Sequence, residues 1–331
     1  MTADDTYAVV IPTIGRACLA DCLRALAATE GPAPVEVVIV DDRPDPVGAL
    51  SPAGAGVLRD RVRVLATGGR GPAAARNAGW RTTGAPWVVF LDDDVRVYPD
   101  WAARLRDDLA AAGARTGGVQ GRLRVPLPEE RRPTDWERGT AGLEQAAWAT
   151  ADMAYRTAAL KEVGGFDERF ARAFREDADI ALRVMDAGWS LLVGERLTCH
   201  PVRAADPWVS VRAQRGNADD ALMSHLHGRD WWHRAEAPRG RLPRHLVVTA
   251  AVLAAPALAA VGRRHAAAAA ATLWALGTAE FAHARIAPGP RTAREVATMV
   301  ATSAVIPPLA VRHWLSGLIR HRGATPVRGV T

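Results

Sequence analysis

PWVVFLDDDVRVYPDW, residues 86–101, joins a continuous apolar run to three consecutive aspartates. A short run of β-branched, aromatic and aliphatic residues with no polar alternation fits a strand buried on both faces, as in a parallel sheet covered by helices. The carboxylates of Asp92, Asp93 and Asp94 repel one another and lose hydration on burial, so a neighbouring cation stabilises them. Alternate residues of an extended chain point the same way, which lets Asp92 and Asp94 share one site. Hard oxygen ligands of this kind suit Mg²⁺ or Mn²⁺ bridging phosphate oxygens. Alone, such a triplet also serves as a turn or a helix cap, so its meaning depends on its surroundings.

Outward from this stretch, strand and helix signals alternate. YAVVIP (7–12), VEVVIV (35–40) and RVRVLA (61–66) are three further apolar strands, the second ending at Asp41-Asp42. Residues 17–28 have helical apolar spacing, residues 72–83 carry Pro72 in a first helical turn, and Pro99 opens a helix to about residue 112. This order predicts an α/β fold with three layers and a largely parallel sheet. The acidic residues end strands two and four, where open α/β sheets place their ligands. Further on, GVQGRLRV (118–125) and ATADMAYR (149–156) read as strands. TAALKEVGGFDERF (157–170) reads as a helix with a Gly-Gly turn, and EDADIALRVMDAGW (176–189) as a helix with Ile180, Val184 and Ala187 on one face. WSLLVG (189–194) and RLTCHPV (196–202) read as two edge strands.

The composition, with 49% hydrophobic and 24% charged residues over 331 positions, excludes bulk disorder. Three scattered cysteines, Cys18, Cys22 and Cys199, make no disulfide framework and read as packing residues, in keeping with a reducing cytosol. The N-terminal segment is acidic and enters a strand directly, with no visible secretory signal. No G-x-G-x-x-G follows the first strand, which disfavours a dinucleotide-binding dehydrogenase. A sugar nucleotidyltransferase would want a Gly-rich loop and a lysine there, and PTIGRACLAD (12–21) has neither.

Six segments together resemble glycosyltransferase family 2, whose members have the GT-A fold. They are VVIPTIGR (9–16), VVIVDDRPD (37–45), GPAAARNAGW (71–80), FLDDDVRVYPDW (90–101), LKEVGGFDERF (160–170) and REDADIALRVMDAGW (175–189). The resemblance covers residues 5–205 and implies a metal-dependent, inverting transfer of a sugar from a nucleotide-diphosphate sugar to an acceptor hydroxyl. By that resemblance Pro12, Thr13, Arg16 and Asp41 or Asp42 form the base and ribose pocket, and Arg76 is a donor-side contact. Asp92 is the contact to the donor's ribose or sugar, Asp93 lies with it in the donor-binding set, and Asp94, with Asp92, is the metal ligand of the DxD motif, for Mn²⁺ or Mg²⁺. His200 resembles the late histidine that completes the metal shell. Asp177, with Glu176 as the alternative, occupies the position of the base that deprotonates the acceptor. Acids in the first turn of a helix also favour its dipole, which accounts for Glu176, Asp177 and Asp179 without chemistry. Two departures stand out: Arg43-Pro44 replaces the usual small residues after the strand-two acid, and Asp152 replaces a small residue before the acceptor-side strand. Trp136, Trp148 and Trp189 are candidates for stacking on sugars, with core packing as the simpler reading.

From Arg241 onward the chain has eleven arginines and two acids, Glu280 and Glu295, so the formal charge of +6 belongs to the tail. Residues 246–262, 266–279 and 296–311 are uncharged apolar blocks of 17, 14 and 16 residues, shorter than the ~20 of a full span. With their arginine flanks they predict helices on an anionic membrane, and Arg263-Arg264 argue against a deep hairpin. The expected organisation is a GT-A domain over 1–215, a linker over 216–245 and an Ala-rich, membrane-associated helical region over 246–331. The expected partners are a nucleotide-sugar donor, a glycan, lipid-linked or small-molecule acceptor and an anionic membrane surface, but no nucleic acid. The expected setting is the cytoplasmic face of the plasma membrane, in cell-envelope glycan, glycolipid or secondary-metabolite glycoside synthesis. A polyprenyl-phosphate glycosyltransferase and a non-catalytic sugar-binding scaffold are the alternatives.

Overall fold

Burial on both faces is what the apolar runs demand, and the computed structural model, which describes residues 6–327, supplies it. Strands β1 (Tyr7–Thr13), β2 (Val37–Asp41), β3 (Val62–Ala66) and β4 (Trp87–Leu91) are parallel neighbours in the order β3-β2-β1-β4. Val9, Ile11, Ile39 and Val89 point to one side, onto Leu23 of helix α1 (Leu19–Ala27). Val10, Val38, Val88 and Phe90 point to the other, onto Trp80 of α2 (Pro72–Trp80). The period-two alternation therefore feeds two cores, which makes three layers. Gly79 lets α2 approach closely, since a Cβ there would lie 2.4 Å from Val10 Cγ1.

Past β4 the sheet turns mixed. A two-residue strand β5 (Arg96–Val97) leads into α3 (Trp101–Ala110), β6 (Thr116–Arg124), α4 (Asp135–Ala141), β7 (Asp152–Arg156), α5 (Thr157–Val163), α6 (Glu176–Asp186) and β8 (Ser190–Cys199). The full order is β3-β2-β1-β4-β7-β6-β8-β5, with β7 antiparallel to β4 and β6, β8 parallel to β6, and β5 antiparallel to β8. The two segments expected as edge strands are thus one strand, β8, flanked on both sides. Between those two segments the chain forms a bulge at Gly194-Glu195: Gln120 pairs with Val193, while Arg122 pairs with Leu197. Glu195 N donates to Asp108 at 2.8 Å, so the displaced backbone keeps a partner.

Arg196, just past that bulge, is fully buried and donates to Asp152 at 2.8 Å. Asp152 also accepts from Trp101 Nε1 at 2.7 Å and Thr198 Oγ1 at 2.6 Å, which explains how an acid replaces the small residue there. Asp152→Ala strands Arg196 without its innermost partner. The expected loss is about 3–5 kcal/mol in denaturant unfolding, the cost of breaking a buried pair from one side, and a value near zero would contradict it.

Residues 216–245, expected as a linker, hold α8 (Asn217–His227) and the short α9 (Trp231–Arg234), after α7 (Val209–Ala213). Leu222, Met223, Leu226 and Trp231 pack on Phe170 and Leu182, so this stretch is part of the core around α6. Its polar composition hid one apolar helix face.

The Ala-rich blocks form α10 (Leu242–Ala260), α11 (Arg264–Ile286) and α12 (Ala293–Arg320). α12 continues through Pro307-Pro308, where Ile306, Pro307, Ala310 and Val311 are buried; packing holds the helix despite the lost hydrogen bonds. At Gly317 a Cβ would sit 2.6 Å from Ala218 O, so α12 crosses α8 at close range. Buried Arg285 joins the two halves, donating to Asp135 of α4 at 2.8 Å, Ser210 at 2.9 Å and Thr302 at 2.8 Å. Among the described residues, α10 alone is long and apolar enough to cross a membrane by length and composition.

Candidate active site

The chain ends of β1, β2 and β4 converge because β1 lies between the other two, the arrangement that opens a ligand crevice in α/β sheets. The antiparallel pairing of Arg96 with Cys199 then brings the end of β8 beside the aspartate triplet. A cavity of about 660 Å³ opens here, bounded by residues 12–16, the triplet, α4, the start of α6 and the loop after β8.

The triplet divides as backbone alternation implies. Asp93 is buried and turned toward β1, accepting from Thr13 Oγ1 at 2.5 Å and Arg16 Nη1 at 2.7 Å. Asp92, Asp94 and His200 face one another, each offering a ligand atom within 4.8 Å of the others. His200 directs Nε2 toward Asp94 at 3.7 Å, too long for a hydrogen bond, and its Nδ1 is buried without a partner. Burial, then the charge of Asp92, raises the Asp94 carboxyl above the ordinary aspartate range. Two crowded carboxylates and an imidazole lacking hydrogen bonds are a donor set that a divalent cation fits, and the mixed N/O set accommodates Mn²⁺.

A residue that the sequence reading passed over neutralises Asp94. Arg203, three positions after His200 and half exposed, places Nε 2.9 Å from Asp94 Oδ2. Its carbonyl accepts from Trp136 Nε1 at 2.8 Å, which ties the post-β8 loop to α4. The only signal in the sequence is a cation shortly after a strand-end histidine, in HPVR (200–203). Of the three tryptophans considered for stacking, Trp136 lines the cavity. Trp148 is buried, and Trp189 bonds to Glu162 at 2.8 Å on the surface.

Asp41 and Asp42 have different tasks. Arg43 grips Asp41 in a two-pronged pair, Nε to Oδ1 at 2.8 Å and Nη2 to Oδ2 at 2.6 Å, so the departure from the small residues of the motif lands directly on that acid. Asp42 accepts from Thr67 Oγ1 at 2.7 Å and from the backbone of Arg70 and Gly71 at 2.8 Å, fixing the entry to α2. Pro12, Thr13, Arg16 and Asp42 line the cavity.

Arg76 is 1% exposed, and both of its Nη atoms are engaged: Nη1 with Glu176 at 2.8 Å and Nη2 with Asp92 at 2.9 Å. It is a strut between the two sides of the cavity. Burial pushes the Glu176 carboxyl above the ordinary range against the pull of Arg76, and its Oε2 has no partner. Asp177 is only partly buried, lines the cavity and has no ion-pair partner among the described residues; it accepts from Ala178 N at 2.7 Å. Burial raises its carboxyl as well. The preceding Arg175 has φ +75°, a rare conformation for a non-glycine residue. Its guanidinium is anchored to Asp220 of α8 at 2.8 Å and stacked on Trp231 at 4.7 Å, so α8 and α9 hold the turn that presents Asp177. Asp179 points inward, to Arg183 and His227.

The sheet topology, with the Asp/Asp/His cluster and Asp177 lining one cavity at its strand ends, is that of a GT-A-type domain. Residues 8–180 match the model of "Glycosyl transferase family 2", more than half of the chain. The chain belongs to glycosyltransferase family 2. It is 43% identical to the succinoglycan biosynthesis protein ExoO of Rhizobium meliloti over 82 residues, which are 24% of this chain and 23% of ExoO. Among solved structures it is similar to S. aureus TarS, with TM-score 0.42 and 17% identity, covering 68% of this chain and 41% of TarS. It is also similar to GalNAc-T7 crystallised with UDP, GalNAc and Mn²⁺, with TM-score 0.45 and 16% identity, covering 68% of this chain and 52% of that one.

Proposed function

We propose that the protein is a metal-dependent, inverting glycosyltransferase that moves a sugar from a nucleotide-diphosphate sugar to an acceptor hydroxyl. The observation that supports this reading is one cavity lined both by the Asp92, Asp94 and His200 cluster and by Asp177, which has no ion-pair partner among the described residues. Asp92, Asp94 and His200 would hold Mn²⁺ or Mg²⁺, which supplies charge neutralisation for the departing diphosphate. Arg76 holds Asp92 at a fixed distance from Glu176, so donor and acceptor sides keep their spacing. Asp177 takes the proton of the acceptor hydroxyl while that oxygen bonds to the anomeric carbon. The bond from that carbon to the phosphate oxygen breaks, and a nucleoside diphosphate leaves. Glu176, clamped by Arg76, is the less suitable base of the pair.

Within this reading residues 1–215 carry the transfer chemistry, and the helices after Arg241 rest on an anionic membrane at its cytoplasmic face. The arginine excess of the tail and the exposed Leu246, Leu253, Leu273 and Leu276 support that placement. The likeness to the succinoglycan biosynthesis protein ExoO favours a glycan as the acceptor class. The test is nucleoside diphosphate release from a panel of nucleotide sugars with Mn²⁺, Mg²⁺ or chelator. Release that needs metal is the expected result; no release from any donor, or equal release in chelator, overturns the reading.

Arg203 enters this scheme as a cation that covers Asp94 until metal arrives and then faces the diphosphate. Arg203→Gln should bind Mn²⁺ alone more tightly, because a competitor is gone. It should bind pyrophosphate with Mn²⁺ about tenfold more weakly, the worth of one charge-assisted hydrogen bond. Calorimetric titrations that move in the same direction would contradict it.

A further inference from the structure

α12 carries two parallel rows that the transferase reading does not use. Pro308, Val311, Leu315 and Ile319 recur at helical spacing and form an apolar row, and beside it Arg312, Ser316 and Arg320 form a polar row at intervals of four. With Thr249 and Leu253 of α10 they line a groove of about 730 Å³. Its walls are exposed although they are apolar: Leu253 is 67%, Leu315 46% and Ile319 78% accessible. Thr249 Oγ1, buried, has no partner.

The rim is cationic and unneutralised. Neither Arg312 nor Arg320 has an acidic partner among the described residues, whereas Arg241 and Arg244, beside the separate groove between α10 and α11, both pair with Glu280. The neighbouring histidines register that field. Burial first, then Arg312, Arg172, Arg215 and Arg320, depress His313, and burial, then Arg320 and Arg169, depress His321. An apolar channel alone would attract any greasy surface; one edged by unpaired guanidinium groups selects a chain that ends in negative charge.

We propose that the groove between α10 and α12 is a binding site for a lipid phosphate, its hydrocarbon chain lying along Leu253, Leu315 and Ile319 and its phosphate at the rim that Arg312 and Arg320 make cationic. Eight residues separate the two arginines, about 12 Å along the helix, so the phosphate engages one guanidinium directly and lies in the field of the other. The site goes beyond the transfer reaction and stands whether or not the donor chemistry proposed above is right. It differs from general adsorption because it names one groove and one charge.

The probe is decyl phosphate, titrated into the full chain below its micelle-forming concentration. Decyl maltoside serves as a neutral-headed control and inorganic phosphate as a chainless one. Decyl phosphate should bind at least tenfold more tightly than decyl maltoside, and inorganic phosphate should give no heat. The Arg312→Gln/Arg320→Gln variant should lose at least tenfold in affinity for decyl phosphate, with an unchanged Tm because both side chains are exposed. Leu315→Gln should weaken both amphiphiles. Arg263→Gln/Arg264→Gln, at the turn between α10 and α11, should change nothing. Equal binding of the two amphiphiles, or equal loss in the two arginine pairs, overturns the site.

Discussion

Asp94→Ala should abolish turnover, by about 10³-fold or more, because the group lost sits where charge develops on the leaving diphosphate in a sheltered site. The same substitution should not unfold the protein. Asp94 is crowded by Asp92 and raised by burial, so removing its carboxylate relieves repulsion when no cation is bound. The informative measurement is therefore a pair of melting curves, with nucleoside diphosphate present and Mn²⁺ added or chelated. Wild-type protein should gain stability from the metal by mass action, and Asp94→Ala should gain none. Full turnover of the variant in chelator would end the metal assignment.

Asp177→Asn should lower kcat by about 10²–10⁴-fold, the usual worth of a positioned general base, and leave donor affinity unchanged. Only the ionised carboxylate accepts a proton, and burial raises this one. Wild-type turnover should therefore fall on acidification at a pH above the ordinary aspartate value of about 3.9, and the residual activity of Asp177→Asn should lack that limb. Stability separates this from a helix-capping role. A carboxyl whose folded pKa is raised contributes most below its unfolded pKa and loses that contribution as pH rises through the folded value, so at neutral pH the charge weakens the fold. Asp177→Asn should then melt no lower than wild type at neutral pH, whereas loss of a cap would cost about 0.5–2 kcal/mol. A variant with wild-type turnover and a lowered Tm would make Asp177 structural. Glu176→Gln tests the alternative base; its larger effect should be on stability, through the Arg76 strut.

Much of this molecule is written locally. The apolar runs of β1, β2 and β4 are buried on both sides, and alternation within 92–94 already separates Asp93 from its neighbours. Such features follow from the period of a strand and need no distant partner. The division of labour around the cavity was decided elsewhere. Arg76 became a strut because Glu176 lies 100 residues away in sequence yet 2.8 Å away in space. Asp42 was committed to the loop before α2, and Arg203 reached Asp94 because β5 pairs with β8. The same is true of the segment 216–245, whose modest apolar face became core once Phe170 and Leu182 met it. Sequence pattern set which residues had to be buried and which strand ends carried acid. Which cation met which acid was left to tertiary contacts, because a guanidinium binds any carboxylate that the fold brings within about 3 Å.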